Sequence, residues 1–168
     1  MGTGEHKKTA PKRVTLGILT ISTTRTLETD KSGHWIRKQA EKEGHKVLYH
    51  AVVPDDAASI SKALLDVIRD HGPQAMLLTG GTGISHQDVT IEAVKPLLKK
   101  ELTAFGHLFA LLSFDQIDSA AIMSRATAGV IGNTVVFCMP GSLAACKLAC
   151  KSLIFPELGH LVRHIHAG

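Results

Sequence analysis

AMLLTGGTGISHQDVTIEAV, residues 75–94, sets a short apolar run, a glycine-rich turn and a helix start in immediate succession. The run 75–79 is apolar without alternation, which suits a strand covered on both faces. Gly80, Gly81 and Gly83 follow it directly. Glycines so placed let the backbone reach positive φ and approach another group closely. A helix begins near Thr90 and carries IEAVKPLL. Strand, tight loop and helix in this order make half of a βαβ unit.

The same alternation extends outward on both sides. RVTLGILTIS (13–22) reads as a buried strand, a polar loop follows, and a helix over 33–43 ends at Gly44. KVLYHAVV (46–53) is a second strand, and Pro54-Asp55-Asp56 opens a helix over 57–70 with an Asp as its cap. Beyond the glycine loop, Leu102, Phe105, Leu108, Phe109 and Leu112 recur at helical spacing and read as a core stripe. A short helix is expected over 120–127 and a hairpin over 128–139 turning at Gly132-Asn133. Helices over 143–153 and 156–165 complete the chain. The expected fold is α/β: a three-layer αβα arrangement, mostly parallel, with a small β-hairpin. Residues 1–12 read as a loose tail and 13–168 as a single domain.

Composition narrows the function classes. A formal charge of +4 is a mild excess, with Lys7, Lys8, Lys12 and Arg13 all within the first thirteen residues. It fits either attraction of an anionic substrate or an ordinary solvated surface. One Trp, one Tyr and five Phe are too few for a base-stacking platform, so no nucleic-acid partner is expected. No apolar run approaches the ~20 residues of a membrane span, and no secretory h-region is seen. Cys138, Cys146 and Cys150 are odd in number, clustered and without zinc-type spacing, and read as buried small hydrophobes. A cytoplasmic protein with no membrane partner is expected.

In an open α/β sheet the ligand site lies beyond the carboxyl ends of the strands. That rule gathers Ser22, Pro54-Asp55, Gly80–Asp88 and Pro140–Ser142, each of which follows an expected strand. The glycine loop reads either as an anion cradle or as a tight turn. It is neither a P-loop, since the following Lys-Ser/Thr is absent, nor a dinucleotide fingerprint, since His86 stands where a third Gly is required. Asp55 and Asp88 read either as helix caps or as carboxylates that anchor Mg²⁺ against phosphate oxygens. Ser142 reads as a helix cap, and Ser113, Ser124 and Arg125 carry no local motif. The ten histidines form no metal-binding pair.

Beyond these readings, LLTGGTGISHQDVTIEA (77–93) resembles the signature of the molybdopterin-binding MogA/MoaB/gephyrin-G family. ILTIS (18–22), DKSG (30–33), VPD (53–55), LSF (112–114), SRA-x-AG (124–129), MPGS (139–142) and PEL-x-H (156–160) match in register. AFGHLFALLSFDQI and VVFCMPGSLAACKLA resemble the MoaB branch in particular. A competence-associated relative has Leu and Pro around the last loop glycine, where this chain has Thr82 and Ile84.

The resemblance implies a three-layer α/β fold assembled as a trimer, or as a dimer of trimers in the MoaB branch. It implies adenylylation of molybdopterin by MgATP, giving adenylyl-molybdopterin and pyrophosphate, with hand-over to the molybdate-insertion enzyme. Asp55 and Asp88 take the place of the family's functional aspartates, with Mg²⁺ held there through substrate phosphates. Gly80, Gly81, Thr82 and Gly83 take that of its loop. Ser22, Ser113, Ser124, Pro140, Gly141 and Ser142 fall to the pterin and phosphate side. The chain departs from the pattern at Thr23, where many members have Asp, and at Gln87, where many have Arg. A non-catalytic, molybdopterin-binding oligomer that stores or passes on the pterin is the alternative.

Overall fold

The computed structural model describes residues 11–167, so most of the expected tail lies outside the described residues. β1 (Thr15–Ile21) leads through α1 (Lys31–Lys42) to β2 (Lys46–Val53), and α2 (Ala57–His71) leads on to β3 (Ala75–Thr79). One short helix, α3 (Thr90–Val94), and a 3₁₀ turn at Lys95–Leu97 follow the glycine loop. Pro96 has no N–H to continue an α ladder, which accounts for the early stop. A two-residue strand, β4 (Lys100–Glu101), precedes α4 (Thr103–Ile117). β5 (Thr127–Ile131) and β6 (Thr134–Met139) form the hairpin, with Gly132 at φ 57° in its turn.

The six strands make one sheet in the order β2-β1-β3-β6-β5-β4. β2, β1, β3 and β6 pair in parallel, while β5 and β4 add an antiparallel edge. Alternate residues feed two cores. Leu16, Ile18, Leu77, Val135 and Phe137 point to the face covered by α1, α4 and the C-terminal helices. Leu19, Ile21, Met76, Leu78, Val136 and Cys138 point to the face covered by α2 and α3. This is the expected three-layer, mostly parallel sheet with a hairpin. All three cysteines are buried and free, and burial pushes the Cys138 thiol up to about 12.

Three expectations are corrected. The expected helix over 120–127 is a 3₁₀ segment, Asp118–Met123, after which the chain is extended and enters β5. The helices expected over 143–153 and 156–165 are one continuous rod. α5 (Leu143–Ala149) passes through a π-helical turn at Cys150–Ile154 into α6 (Phe155–His166). A π turn absorbs the missing donor of Pro156 without breaking the helix. The apolar stripe of α4 is only partly core. Phe105 and Phe109 are buried, whereas Leu108, Leu111, Phe114 and Ile117 are exposed.

α1 starts two residues earlier than the sequence pattern implied, because Asp30 caps it. Asp30 Oδ1 accepts from the Gly33 N–H at 2.9 Å. Its Oδ2 accepts from Thr20 Oγ1 at 2.6 Å and pairs with His50 Nε2 at 2.8 Å. A Cβ at Gly33 would collide with both the Asp30 carboxylate and the His50 ring, so the glycine is required here. The cluster ties β1, β2 and α1 together beneath the strand ends. Burial alone would raise the Asp30 pKa, but the bonds from His50, Thr20 and Gly33 outweigh it and hold the carboxyl below its ordinary 3.8. A depressed carboxylate contributes stability that is present above the ordinary value and is lost as pH falls through the folded one. Asp30→Ala, followed by urea denaturation, should therefore cost at least about 2 kcal/mol at pH 7, from the lost cap and the orphaned donors. The gap from wild type should close as pH drops below 3.8; a gap independent of pH would contradict the ionised carboxylate.

Candidate functional site

The parallel strands end level. Ile21 pairs with Val53, Thr20 with Thr79, and Thr79 with Met139. The loops that leave these ends therefore meet around one open cleft of about 360 Å³. Ser22, Asp55, Gly80, Gly81, Thr82, Gly83, Asp88, Pro140, Gly141 and Ser142 all line it.

The glycine loop is built on two left-handed residues, Gly80 at φ 101° and Gly81 at φ 64°. A Cβ on Gly80 would strike the Ile21 carbonyl, and one on Gly81 would strike Thr90 Oγ1. Thr90 closes the loop from the other side, donating Oγ1–H to the Gly80 carbonyl and N–H to the Gly81 carbonyl. Gly141 packs against Gly80, its ideal Cβ position 3.1 Å from the Gly80 Cα.

Neither aspartate caps a helix. Asp56, not Asp55, caps α2, and the residue before α3 is Val89, which makes no side-chain cap bond. Asp55 Oδ2 accepts from the Thr23 N–H at 2.7 Å and from Thr23 Oγ1 at 2.9 Å. Its Oδ1 is aimed at the glycine loop, 3.4 Å from where a Gly81 Cβ would stand. Thr23, the first departure from the family pattern, is thus the residue that orients Asp55. Asp88 Oδ2 accepts from the Ser85 N–H at 2.9 Å and from Ser85 Oγ at 2.6 Å. The Ser85 hydroxyl above all, helped by the backbone N–H groups of Ser85 and Gly83 and the charge of Arg125, holds the Asp88 carboxyl below the usual carboxylate range against the opposing effect of burial.

Ser22 Oγ accepts from the N–H groups of Thr24 and Arg25, and so shapes the turn after β1. Ser142 caps α5, accepting from the Ala145 N–H at 3.2 Å, and borders the cleft as well. Ser113 and Ser124 are placed elsewhere. They line a smaller cavity of about 120 Å³ with Phe109 and Leu148, which shares Pro140 and Ser142 with the cleft.

Two arginines were missed in the sequence. Arg25 lines the cleft, and its Nη1 lies 3.4 Å from the Gly141 carbonyl. Its place after ILTIS and a serine turn was the available signal. Arg125, which carries no local motif, reaches under the glycine loop and pairs with Glu92. Gln87, the second departure, is exposed. Among the described residues no cluster of three or more His, Cys, Asp or Glu side chains is arranged to hold a metal ion.

Comparison with known proteins gives this geometry a family. The family described as "Probable molybdopterin binding domain" matches residues 17–160. The chain belongs to that family. Molybdenum cofactor biosynthesis protein B of Bacillus cereus is 49% identical over 167 residues, covering 99% of each chain. A crystal structure of a molybdenum cofactor biosynthesis protein B superposes with a TM-score of 0.91 at 48% identity, over 95% of this chain and 99% of that one. The tungsten cofactor synthesizing protein MoaB from Pyrococcus furiosus gives a TM-score of 0.84 at 37% identity, over 93% and 99% of the two chains. Family membership places the chain in molybdenum cofactor biosynthesis. No helix of the described residues is long and apolar enough to cross a membrane.

The loop geometry has a measurable consequence. Gly80→Ala combines a positive φ with a collision against the Ile21 carbonyl, whereas Gly132→Ala, at φ 57°, meets nothing within 4 Å. Chemical denaturation should show a loss of about 1 kcal/mol for the hairpin variant and at least about 2 kcal/mol for the loop variant. Equal losses would mean that the loop does not pack against β1 as described.

Proposed function

We propose that this protein adenylylates molybdopterin with MgATP. The observation that carries this reading is the meeting of Asp55 and Asp88 at one glycine-lined cleft, each held by hydrogen bonds that leave it free of any helix end. In the reaction an oxygen of the pterin's phosphate attacks the α-phosphorus of ATP. A new P–O bond forms, the bond from the α-phosphorus to the bridging oxygen breaks, and pyrophosphate leaves.

The residues divide this work. Gly80 and Gly81 have no side chains and let phosphate oxygens approach the backbone closely. Arg25 offers a positive charge in the same cleft, in a chain whose loop carries Gln87 in place of the family's arginine. Ser142, whose oxygen already caps α5, retains its hydroxyl proton for a ligand oxygen. Ser113 and Ser124, in the adjoining cavity, serve the pterin end.

Mg²⁺ suits the donor set. Two hard carboxylates, with no cluster of three metal-ligating side chains among the described residues, match an ion that keeps several waters and takes its other ligands from substrate phosphates. When bound, Mg²⁺ supplies charge neutralisation for the phosphoryl oxygens. Asp55 and Asp88 would hold it, Asp55 turned to the loop by Thr23 and Asp88 kept ionised by Ser85.

We further propose a trimeric or hexameric assembly that works in the cytoplasm and hands its product to the molybdate-insertion enzyme. Leu108, Leu111, Phe114 and Ile117 on α4, and Ile122 and Met123 in the 3₁₀ segment after it, are all exposed, Ile122 at 89%. An apolar patch of that kind marks a contact between chains. Light scattering at micromolar concentration should give three or six times the chain mass, and Phe114→Glu should lower it; a monomeric wild type would refute the assembly.

The chemistry is tested at the aspartates. Asp55→Asn and Asp88→Asn keep size and hydrogen-bond acceptance but lose the charge that anchors Mg²⁺. Each should lower adenylyl transfer by at least ~100-fold and leave the molybdopterin binding isotherm within a few-fold of wild type. Unchanged rates in both variants would make the aspartates structural. A wild type that binds the pterin tightly but forms no product would make the protein a carrier.

A further inference from the structure

Arg125 sits outside the cleft, yet it touches the cleft's main loop at two points. Its Nε donates to the Thr82 carbonyl at 2.9 Å and to the Gly83 carbonyl at 3.1 Å. Its two terminal nitrogens form a fork on Glu92 of α3, Nη1 to Oε1 at 2.5 Å and Nη2 to Oε2 at 3.2 Å. One planar guanidinium therefore joins the loop, the helix after it and the segment before β5. A planar fork with donors in fixed directions can do this; an ammonium on a flexible stem cannot.

The consequence follows from peptide geometry. In a trans peptide the C=O and the next N–H point in opposite directions. With the Thr82 and Gly83 carbonyls drawn onto Arg125, the N–H groups of Gly83 and Ile84 face away from it. On that far side the Ser85 N–H donates to Asp88 Oδ2 at 2.9 Å. Gly83 has no room for a side chain there, since a Cβ would lie 2.7 Å from Asp88 Oδ2. The loop peptides thus have Arg125 on one side and Asp88 on the other. The Arg125–Glu92 pair is partly exposed, with side chains 34% and 52% accessible, so its contribution to overall stability is small. Its effect is on direction.

We propose that Arg125, held by Glu92, is a positioning residue that fixes the Thr82–Ser85 peptides so that Asp88 is presented to the cleft in one orientation. This rests on the reading of Asp88 as a working carboxylate, and the experiment separates the two.

The test compares Arg125→Lys, Arg125→Ala and Glu92→Gln with wild type, in the full chain. Amide hydrogen exchange at Gly83 and Ser85, followed by NMR, reads the loop without any reaction. Exchange at these two amides should speed up at least about tenfold in Arg125→Ala, with the β1 and β3 amides unchanged. Where wild type forms adenylyl-molybdopterin, kcat should fall by about a hundredfold in Arg125→Ala and about tenfold in the other two variants, since displacement of a catalytic group by about 1 Å costs on that order. KM for MgATP should stay within about threefold, and guanidinium ion should restore part of the Arg125→Ala rate. Arg125→Lys keeps the charge and covers the case in which the alanine variant fails to fold. Unaltered exchange at Gly83 and Ser85, or a kcat unchanged among folded molecules, overturns the proposal. Should wild type form no product, the adenylylation reading fails, and the exchange result alone decides the role of Arg125.

Discussion

Four parallel strands that end at one level are the constraint on which the cleft depends. The pairings Ile21 with Val53, Thr20 with Thr79, and Thr79 with Met139 bring the ends of β1, β2, β3 and β6 to a common edge. β2 and β6 are followed by only three residues each before the next helix, while the longer segments after β1 and β3 are tied down by their own hydrogen bonds, Ser22 to the Thr24 and Arg25 N–H groups and Thr90 to the Gly80 and Gly81 carbonyls. A slip of one residue in any pairing would move its side chains to the opposite core and misplace its loop together. The apolar residues that fix the register in the two cores therefore also fix the site.

On that edge the loop 80–83 is held from three sides: Ile21 below Gly80, Thr90 across the Gly80 and Gly81 carbonyls, and Arg125 beneath Thr82 and Gly83. Every one of these contacts goes to the backbone. Side-chain replacement on the loop alone leaves them in place, whereas any change that adds a Cβ at Gly80 or Gly81 disturbs them. This explains how a loop of small residues remains ordered enough to present a carboxylate. Order of this kind is what a phosphate site needs, because donors already in place cost no reorganisation when charge develops.

Much of this was legible in the sequence. Apolar runs and their spacing placed β1, β2, β3 and α2 almost to the residue: β1 and β3 because they are buried along their length, β2 and α2 because the turn residues Gly44, Pro54 and Gly72 bound them. The rule that ligands lie beyond strand ends gathered ten of the residues that line the cleft. What stayed hidden has a common physical origin in contacts between distant segments. The Asp30–His50 pair joins residues twenty apart, and Arg125 acts on a loop more than forty residues away. No local spacing announces either. The outward apolar face of α4 was also unreadable as such, since a stripe on two sides of a helix has the same period as a stripe on one. β4 was too short, and the π turn at Cys150–Ile154 too irregular, to give a pattern.

The charge balance of the cleft bears on what enters it. Asp88 is held ionised, and Asp55 lines the same space with one oxygen turned to the loop. A bare phosphate chain approaching two carboxylates meets repulsion of about 4 kcal/mol for each pair of unit charges about 4 Å apart near a protein surface. Arg25 supplies one positive charge against this, and Arg125 is already engaged by Glu92. A site meant only to bind an anionic pterin would do better with neither aspartate. Keeping both, free of helix ends and each held by its own donor, makes sense where the anion arrives with a divalent cation that the carboxylates help to hold. On the proposed function, the carboxylates would select a metal–nucleotide complex over the free nucleotide, and the glycine loop would leave the room for it.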